Sequence, residues 1–194
     1  MGTGVARASI ISFAILLLAA ASAFAQPAQV VLIRHAEKPD DPDDIHLNTK
    51  GRQRAAALVP YFQETPELLK FGPPAAIYAA RPGGGGIKSQ RCPETVQGLA
   101  KALKVEVLMP WRNDDYAKLA KEILAEKQYA GKMVLVCWHH STLPELAREF
   151  KAPGVPATWP DRTYDRTWVL TFPKDGPVVF ENLPQRLMFG DSKK

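Results

Sequence analysis

The chain has 194 residues, enough for one domain with a sizeable hydrophobic core. Its 25 basic and 20 acidic residues give a net charge of +5, and the basic residues are spread along the chain rather than gathered in a stripe. This distribution gives little support to nucleic-acid binding and suits a small anionic ligand. Cys92 and Cys137 lack the CxxC spacing of a structural zinc site, and whether they pair cannot be read from sequence.

The first 25 residues have the features of a cleavable secretory signal peptide. Arg7 supplies a positive start, residues 10–21 are apolar, and Ala23-Phe24-Ala25 is a small-x-small cleavage site. The apolar run is short for a bilayer crossing, which takes ~20 apolar residues, and no later segment is comparable. The sequence therefore predicts an exported protein, periplasmic or secreted, with one mature domain over residues 26–194 and no stable membrane insertion. An uncleaved anchor is the alternative.

Apolar strand-like runs alternate with helical patterns, which is typical of α/β layering. In chain order the patterns predict strand 30–34, helix 49–62 capped by Asn48 or Thr49, strand 76–80, helix 93–103, strand 105–109, a helix opened by Asp114-Asp115, strand 133–138, helix 144–150, and strands 168–172 and 178–181. The last two strands flank the turn-rich segment 173–177 and predict a hairpin at one sheet edge. The predicted fold is a three-layer α/β/α sandwich with a mostly parallel central sheet.

The first strand, Val30-Val31-Leu32-Ile33, is followed directly by Arg34-His35-Ala36-Glu37-Lys38. Charged groups cannot continue into a dry interior without partners, so the strand is expected to deliver Arg34 and His35 to the crevice where open α/β sheets bind ligands. Neighbouring strand residues point to opposite faces, so the chain must turn at Arg34 for both to serve one pocket. A strand that simply ends in solvated charges is the alternative.

Two further places carry groups that could meet the same anion. Arg91 arrives where a helix begins, so its guanidinium and the backbone N–H groups could face one phosphate. His139 and His140 follow another apolar strand, just before a helix. Two strand ends with histidine, together with two arginines, fit phosphoryl transfer to a neutral imidazole while arginines hold the phosphate oxygens. A flanking arginine would lower the pKa of His35 and keep it neutral near pH 7.

These motifs resemble those of the histidine phosphatase superfamily. The resemblance rests on Arg34-His35-Ala36-Glu37, on residues 47–55, on Arg91-x-x-Glu94-Thr95 and on residues 134–140, which occur in the family's order across about residues 29–150. The tail over residues 183–191 also resembles small exported bacterial members. Any one of these motifs is weak evidence, whereas four in order indicate the family and its α/β fold.

The resemblance implies roles for particular residues. It makes His35 the phospho-accepting nucleophile, Arg34 and Arg91 phosphate clamps, and a second histidine a donor to the transition state. His139 is in register with mutase-like sequences, whereas the tryptophan-x-histidine form of the exported relatives selects His140. Because strand alternation makes the two imidazoles diverge, we expect one of them to contact phosphate and favour His140.

The resemblance also implies a carboxyl group that protonates the leaving oxygen. Asp114 or Asp115 is the first choice and Glu37, a further candidate for substrate binding, is the second. The aspartate pair could equally cap a helix. The acidic stretch 40–44 lacks EF-hand spacing, and the glycine run 83–86 lacks P-loop spacing, so no metal or cofactor is expected.

The sequence thus predicts metal-independent hydrolysis of a phosphomonoester through a phosphohistidine on His35, with a small phosphorylated substrate or inorganic phosphate as the ligand. A phosphomutase is the alternative within enzymes, although the short chain leaves little room to trap and rotate an intermediate. Metal-assisted hydrolysis by His139, His140 and the aspartate loop is a second class. A non-catalytic anion-binding envelope protein that keeps the phosphate pocket is a third. Substrate identity and oligomeric state are left open.

Overall fold

A computed structural model describes Met1 and residues 26–83 and 88–193 of the chain. Residues 2–25 of the predicted signal peptide and three of the four consecutive glycines lie outside the described residues. Among the residues that are described, no helix has the length and apolarity needed to cross a bilayer.

Six strands form one sheet in the order β3-β2-β4-β1-β5-β6. They are β1 (Gln29–Arg34), β2 (Pro74–Ala79), β3 (Val107–Leu108), β4 (Met133–Trp138), β5 (Arg166–Thr171) and β6 (Val179–Pro184). The first four are mutually parallel, whereas β5 runs antiparallel to β1 and β6 antiparallel to β5. The predicted α/β fold, with its mostly parallel sheet and late edge hairpin, is confirmed.

In the described part of the chain, five α-helices pack around the sheet: α1 (Thr49–Glu64), α2 (Pro66–Leu69), α3 (Arg91–Leu103), α4 (Tyr116–Ala125) and α5 (Leu143–Glu149). Single 3₁₀ turns precede and follow α4, at Asn113–Asp115 and Lys127–Tyr129. Helix α1 packs against α3, and α4 packs against α5. The short helix α2 was not predicted; it starts at Pro66, whose fixed φ suits a first helical position.

Strands β1 and β4 lie at the centre of the sheet, and all six residues of each are buried. This burial on both faces explains why residues 30–33 and 133–138 are apolar without alternation. The predicted edge strands were less accurate. Strand β3 has two residues rather than the five predicted, and β6 extends to Pro184 because its ladder with β5 continues through the polar Glu181 and Asn182.

Helix α1 begins at a close approach to the residues that follow β1. The side chain of Asn48 accepts a hydrogen bond from the Gly51 N–H at 2.8 Å, which confirms Asn48 as the N-cap. A Cβ on Gly51 would lie 2.3 Å from the carbonyl oxygen of Glu37. The first turn of α1 therefore packs directly on the Glu37 backbone, and glycine is required there for steric reasons.

Candidate active site

His35 and His139 are neighbours because they follow two paired parallel strands. Arg34 at the end of β1 lies opposite Trp138 at the end of β4, and the His35 N–H donates to the Trp138 carbonyl at 3.1 Å. The two imidazole ring centroids are 5.3 Å apart in an edge-on arrangement. The structure thus brings the two histidines together at the carboxyl edge of the sheet, where this class of fold binds ligands.

The His35 ring is held in one tautomer by the backbone. Its Nδ1 lies 2.7 Å from the Ala36 carbonyl oxygen, and a carbonyl can only accept, so Nδ1 carries the proton. The neutral ring then has its lone pair on Nε2. Thr95 fixes this turn, since its hydroxyl oxygen accepts the Ala36 N–H at 2.9 Å. His35 is therefore oriented with a nucleophilic nitrogen on the side away from the backbone.

The surroundings of His35 oppose its protonation. Burial lowers its pKa well below the usual value, and the nearby His139, Arg34 and Arg91 lower it further, against a small opposing effect of the Ala36 hydrogen bond. Only 2% of the residue is exposed. The imidazole is therefore neutral at pH 7, as nucleophilic attack requires.

His139 and His140 have different environments. His139 is buried beside His35; burial lowers the His139 pKa, but the negative charge of Cys92 outweighs it and raises the pKa overall. His140 instead places Nε2 3.3 Å from the Asp161 carboxylate. Burial, Arg34 and Lys38 lower the His140 pKa to about 4, so its contact with Asp161 is a hydrogen bond of the neutral ring near pH 7.

The sequence favoured His140 as the histidine that contacts phosphate; in the structure it is His139 whose ring lies beside that of His35. The physical reason is the register of β4. His139 is the first residue after the strand and stays level with His35, while the chain turns at once into α5, with the Thr142 and Leu143 N–H groups donating to the His139 carbonyl at 3.2 and 3.1 Å. His140 instead contacts the Asp161 carboxylate.

Arg34 is fully buried and is engaged by the segment before β5. Its Nη1 donates to the carbonyls of Pro160 at 3.3 Å, Asp161 and Thr163 at 3.2 Å, and its Nη2 lies 3.4 Å from the Asp161 carboxylate. The guanidinium also stacks on the Tyr164 ring, 4.1 Å from its centroid. Arg34 therefore orders this segment. Its predicted role as a phosphate clamp would use Nη2, which lies against the Asp161 carboxylate in the structure.

Arg91 is the first residue of α3 and faces the loop before α1. Its Nε donates to the His46 carbonyl at 3.2 Å and its Nη2 to the Asp44 carbonyl at 2.5 Å. The Glu94 carboxylate, one turn along, accepts the Leu47 N–H at 2.9 Å. Arg91 thus fixes the acidic loop while its charge still acts on His35 and His139. Arg91 is thus close enough to both histidines to lower their pKa values, and its role as a phosphate clamp stays a prediction.

Glu37 is part of a buried ion-pair network that sequence reasoning missed. Arg54 Nε donates to both Glu37 oxygens at 3.1 and 3.0 Å, and Arg54 Nη2 adds a third hydrogen bond at 2.8 Å. The same guanidinium bonds Asp191 and, at 3.1 Å, Gln185 in the C-terminal tail. Glu37 is therefore committed to Arg54, with Lys50 Nζ 3.8 Å away. Arg54 could have been singled out, since it lies within the second motif of the family resemblance.

Asp114, the first-choice general acid, lies apart from this cluster. It is exposed, and its carboxylate accepts a hydrogen bond from the Asn113 side chain at 3.2 Å. Its neighbour Asp115 pairs with Lys118 at 2.7 Å and accepts the Arg112 N–H at 3.3 Å, which is the helix-capping alternative. In the described part of the chain, no contact joins Asp114 to His35 or to the two arginines.

A cavity of about 840 Å³ opens beside the histidines. Its lining includes Lys38, Arg91, Asp161 and Tyr164 but not His35, whose ring is covered. Tyr164 lines the cavity and its ring centroid is 6.1 Å from that of His35, so this residue is near both. Across residues 26–83 and 88–193, no three His, Cys, Asp or Glu side chains are grouped so that they could hold a metal ion.

The two cysteines lie directly beneath this site. Both are buried and free. Burial alone would raise the pKa of Cys92, but its interactions with Cys137 and His139 lower it to about 5. Burial raises the pKa of the Cys137 thiol well above its usual value. In the structure the pair is therefore reduced, and Cys92 links it to the His139 ring.

No protein-family model matches the chain, and no curated protein matches it. Several solved structures do. A protein assigned as the phosphohistidine phosphatase SixA of Agrobacterium tumefaciens has a TM-score of 0.51 at 18% identity, over 81% of this chain and 96% of its own. The protein histidine phosphatase SixA complexed with tungstate gives 0.51 at 16% identity, over 81% and 97%. SixA from Nakamurella multipartitia gives 0.52 at 15% identity, over 80% and 95%. The chain has the histidine phosphatase fold.

Proposed function

We propose that the protein is a phosphomonoester hydrolase that transfers the phosphoryl group through His35 without a metal ion. The observation that carries the proposal is the His35 imidazole itself. It is buried at the carboxyl edge of the sheet, its Nδ1 is tied to the Ala36 carbonyl, and burial with nearby cations lowers its pKa. A neutral ring held in this tautomer presents Nε2 as a nucleophile at pH 7.

In the proposed reaction His35 Nε2 attacks phosphorus, and the neighbouring groups stabilise the charge on the phosphate oxygens. His139, whose ring lies 5.3 Å from that of His35, is the second histidine of this site, in place of His140. Its raised pKa makes it a suitable proton-bearing donor to an oxygen. Arg91 and the Nη2 side of Arg34 complete the set of donors. Preorganised donors of this kind supply most of the catalysis in phosphoryl transfer.

The comparisons support this proposal through the ligand and activity of proteins with the same fold. One of them is a protein histidine phosphatase complexed with tungstate, and tungstate is a tetrahedral oxyanion like phosphate. We propose a phosphorylated compound or inorganic phosphate as the ligand of this chain. We further propose that it is a small exported bacterial member of the superfamily, periplasmic or secreted, on the basis of its first 25 residues. Hydrolysis is preferred over mutase activity because the chain is short.

The proposal is tested by hydrolysis of a chromogenic aryl phosphate with and without EDTA. His35→Asn keeps a donor for the Ala36 carbonyl but has no nucleophilic nitrogen, so we expect activity to be lost. The wild-type rate is expected to survive the chelator, and mass spectrometry of rapidly quenched enzyme should find phosphate on the peptide containing His35. The matched control is His46→Asn, whose side chain is 57% exposed on a loop and contacts Glu94. Full turnover by His35→Asn would end the proposal.

A further inference from the structure

The carboxylate of Asp161 lies where the cations of the site meet the cavity. Its Oδ1 is 3.3 Å from His140 Nε2, 3.4 Å from Arg34 Nη2 and 3.9 Å from Lys38 Nζ. The side chain is 62% exposed and lines the 840 Å³ cavity. Asp161 therefore contacts Arg34, the residue before His35, and also faces the cavity that a ligand can enter.

Among the described residues, Asp40 also lines the cavity but forms no ion pair with Arg34, and the other carboxylates near the site already have partners. Glu37 and Asp191 both bind the Arg54 guanidinium, and their side chains are only 9% and 4% exposed. Asp165 accepts a hydrogen bond from the Ser192 backbone at 2.5 Å. Asp114 belongs to the turn before α4. Asp161 is the carboxylate that both contacts Arg34 and faces the cavity, so it is placed to meet the organic part of a phosphate ester.

We propose that Asp161 is the general acid and base of the reaction, an inference that rests on the phosphatase function proposed above. In the first step the His35 Nε2–phosphorus bond forms, the bond from phosphorus to the leaving oxygen breaks, and that oxygen takes the proton of the Asp161 carboxyl group. In the second step Asp161, now a carboxylate, removes a proton from the attacking water. The new oxygen–phosphorus bond forms, the nitrogen–phosphorus bond breaks, and Asp161 ends the cycle protonated.

The charge around Asp161 suits a residue that gains its proton when substrate binds. In the empty site partial burial raises its pKa, but Lys38, His140 and Arg34 outweigh this effect and lower the pKa overall. A phosphoryl group with two negative charges competes for the same cations and adds like charge beside the carboxylate, and both changes raise its proton affinity. The exposed ion pairs that hold Asp161 are worth only about 0–1 kcal/mol each, so a dianion can replace it.

The Arg34 guanidinium also has unused hydrogen-bonding capacity. Its Nε is buried and has no hydrogen-bond partner among the described residues. Buried polar atoms without partners are uncommon in folded proteins and call for a ligand or water. A phosphoryl group that took the place of the Asp161 carboxylate would leave that carboxyl group at the edge of the phosphate, next to the leaving oxygen.

The test compares two phosphate esters in the full-length protein. The leaving group of p-nitrophenyl phosphate departs without protonation, whereas the alkoxide of glycerol 2-phosphate requires a proton. General acid catalysis contributes about 10²–10⁴-fold. We therefore expect Asp161→Asn to lose a factor of this size in kcat/KM for the alkyl ester and far less for the aryl ester. The ratio kcat/KM is used because it covers the steps up to departure of the alcohol.

Two matched variants make the same charge change elsewhere. Asp40→Asn alters another carboxylate that lines the cavity, and Asp114→Asn alters the first choice from sequence. Both should leave the ratio between the two esters unchanged. If Asp161 only orders Arg34, Asp161→Asn will slow both esters equally, and the inference is overturned. Selective loss of the alkyl ester with Asp114→Asn would also overturn it. Absence of a phosphohistidine in the wild type would instead reject the underlying function, which separates the two failures.

Discussion

Arg54 and Asp191 are 137 positions apart in the chain, yet their side chains form two hydrogen bonds of 2.7 and 2.9 Å. The same guanidinium holds Glu37, which lies two residues after His35. The Asp191 carboxylate also accepts the Leu187 and Met188 N–H groups at 2.9 and 3.0 Å. One buried arginine thus connects the residues that follow β1 with the folded C-terminal tail.

Replacing Arg54 by alanine should destabilise the protein severely. The change leaves two carboxylates buried without their cation, and breaking such a pair costs about 3–5 kcal/mol. Burial alone would lower the pKa of Arg54, but its hydrogen bonds to Asp191 and Glu37 raise it. Arg54→Lys should recover only part of the lost stability, because lysine cannot donate to both carboxylates in the same geometry. Urea denaturation at pH 7 measures the effect. The exposed Arg148 is the control, and an equal effect of Arg148→Ala would contradict this account.

Two helical glycines should respond to alanine in opposite directions. At Gly51 the new Cβ would meet the Glu37 carbonyl oxygen at 2.3 Å, so Gly51→Ala should lower the free energy of unfolding and displace the turn that carries His35. At Gly98 in α3 the nearest atom is 4.0 Å away, on Val59, so Gly98→Ala should stabilise the helix by about 0.5–1 kcal/mol. The thermal unfolding midpoints of the two variants, each compared with wild type, measure these effects. Similar midpoints would show that α1 does not pack on Glu37 as described.

The lowered pKa of His35 should make stability depend on pH. Between the usual histidine pKa of 6.5 and the lower value in the folded protein, the unfolded chain binds a proton that the folded state does not. Stability from this residue therefore falls as the pH falls below 6.5, by up to about 1.4 kcal/mol per pH unit. Urea titrations between pH 7 and 5 should show a steeper loss for wild type than for His35→Asn. Parallel curves would mean that His35 titrates normally.

Removing the charge of Arg91 should weaken anion binding. A hydrogen bond to a charged group contributes about 1.5–3 kcal/mol, so Arg91→Gln should raise the inhibition constant of inorganic phosphate by about 10- to 100-fold. The loss of a nearby cation should also raise the pKa of His35, which NMR of the histidine rings can follow. Arg52, whose side chain contacts Leu47 and Thr49 on the surface, provides the control. Unchanged phosphate inhibition in Arg91→Gln would remove Arg91 from the site.

Sequence reasoning succeeded where the signal was local. Residues 30–33 of β1 and all of β4 are apolar because both faces of these strands are buried, and the charged residues that follow residue 33 predicted that Arg34 and His35 lie at the carboxyl edge. The edge strands were less predictable. Glu181 and Asn182 belong to β6 only because β5 offers them backbone partners, which no pattern within β6 itself reveals.

The amino-acid sequence by itself determined the layered α/β fold, the order of the strands along the chain and the position of His35 at a strand end. These features depend on the burial and turn preferences of residues that are neighbours in the chain. Only the tertiary structure decided that His139 rather than His140 lies beside His35, that Glu37 and Asp191 both bind Arg54, and that Asp161 faces the cavity. The physical reason is that these relationships depend on strand register and on side chains that meet from distant parts of the chain. Such contacts form only when the whole sheet has assembled.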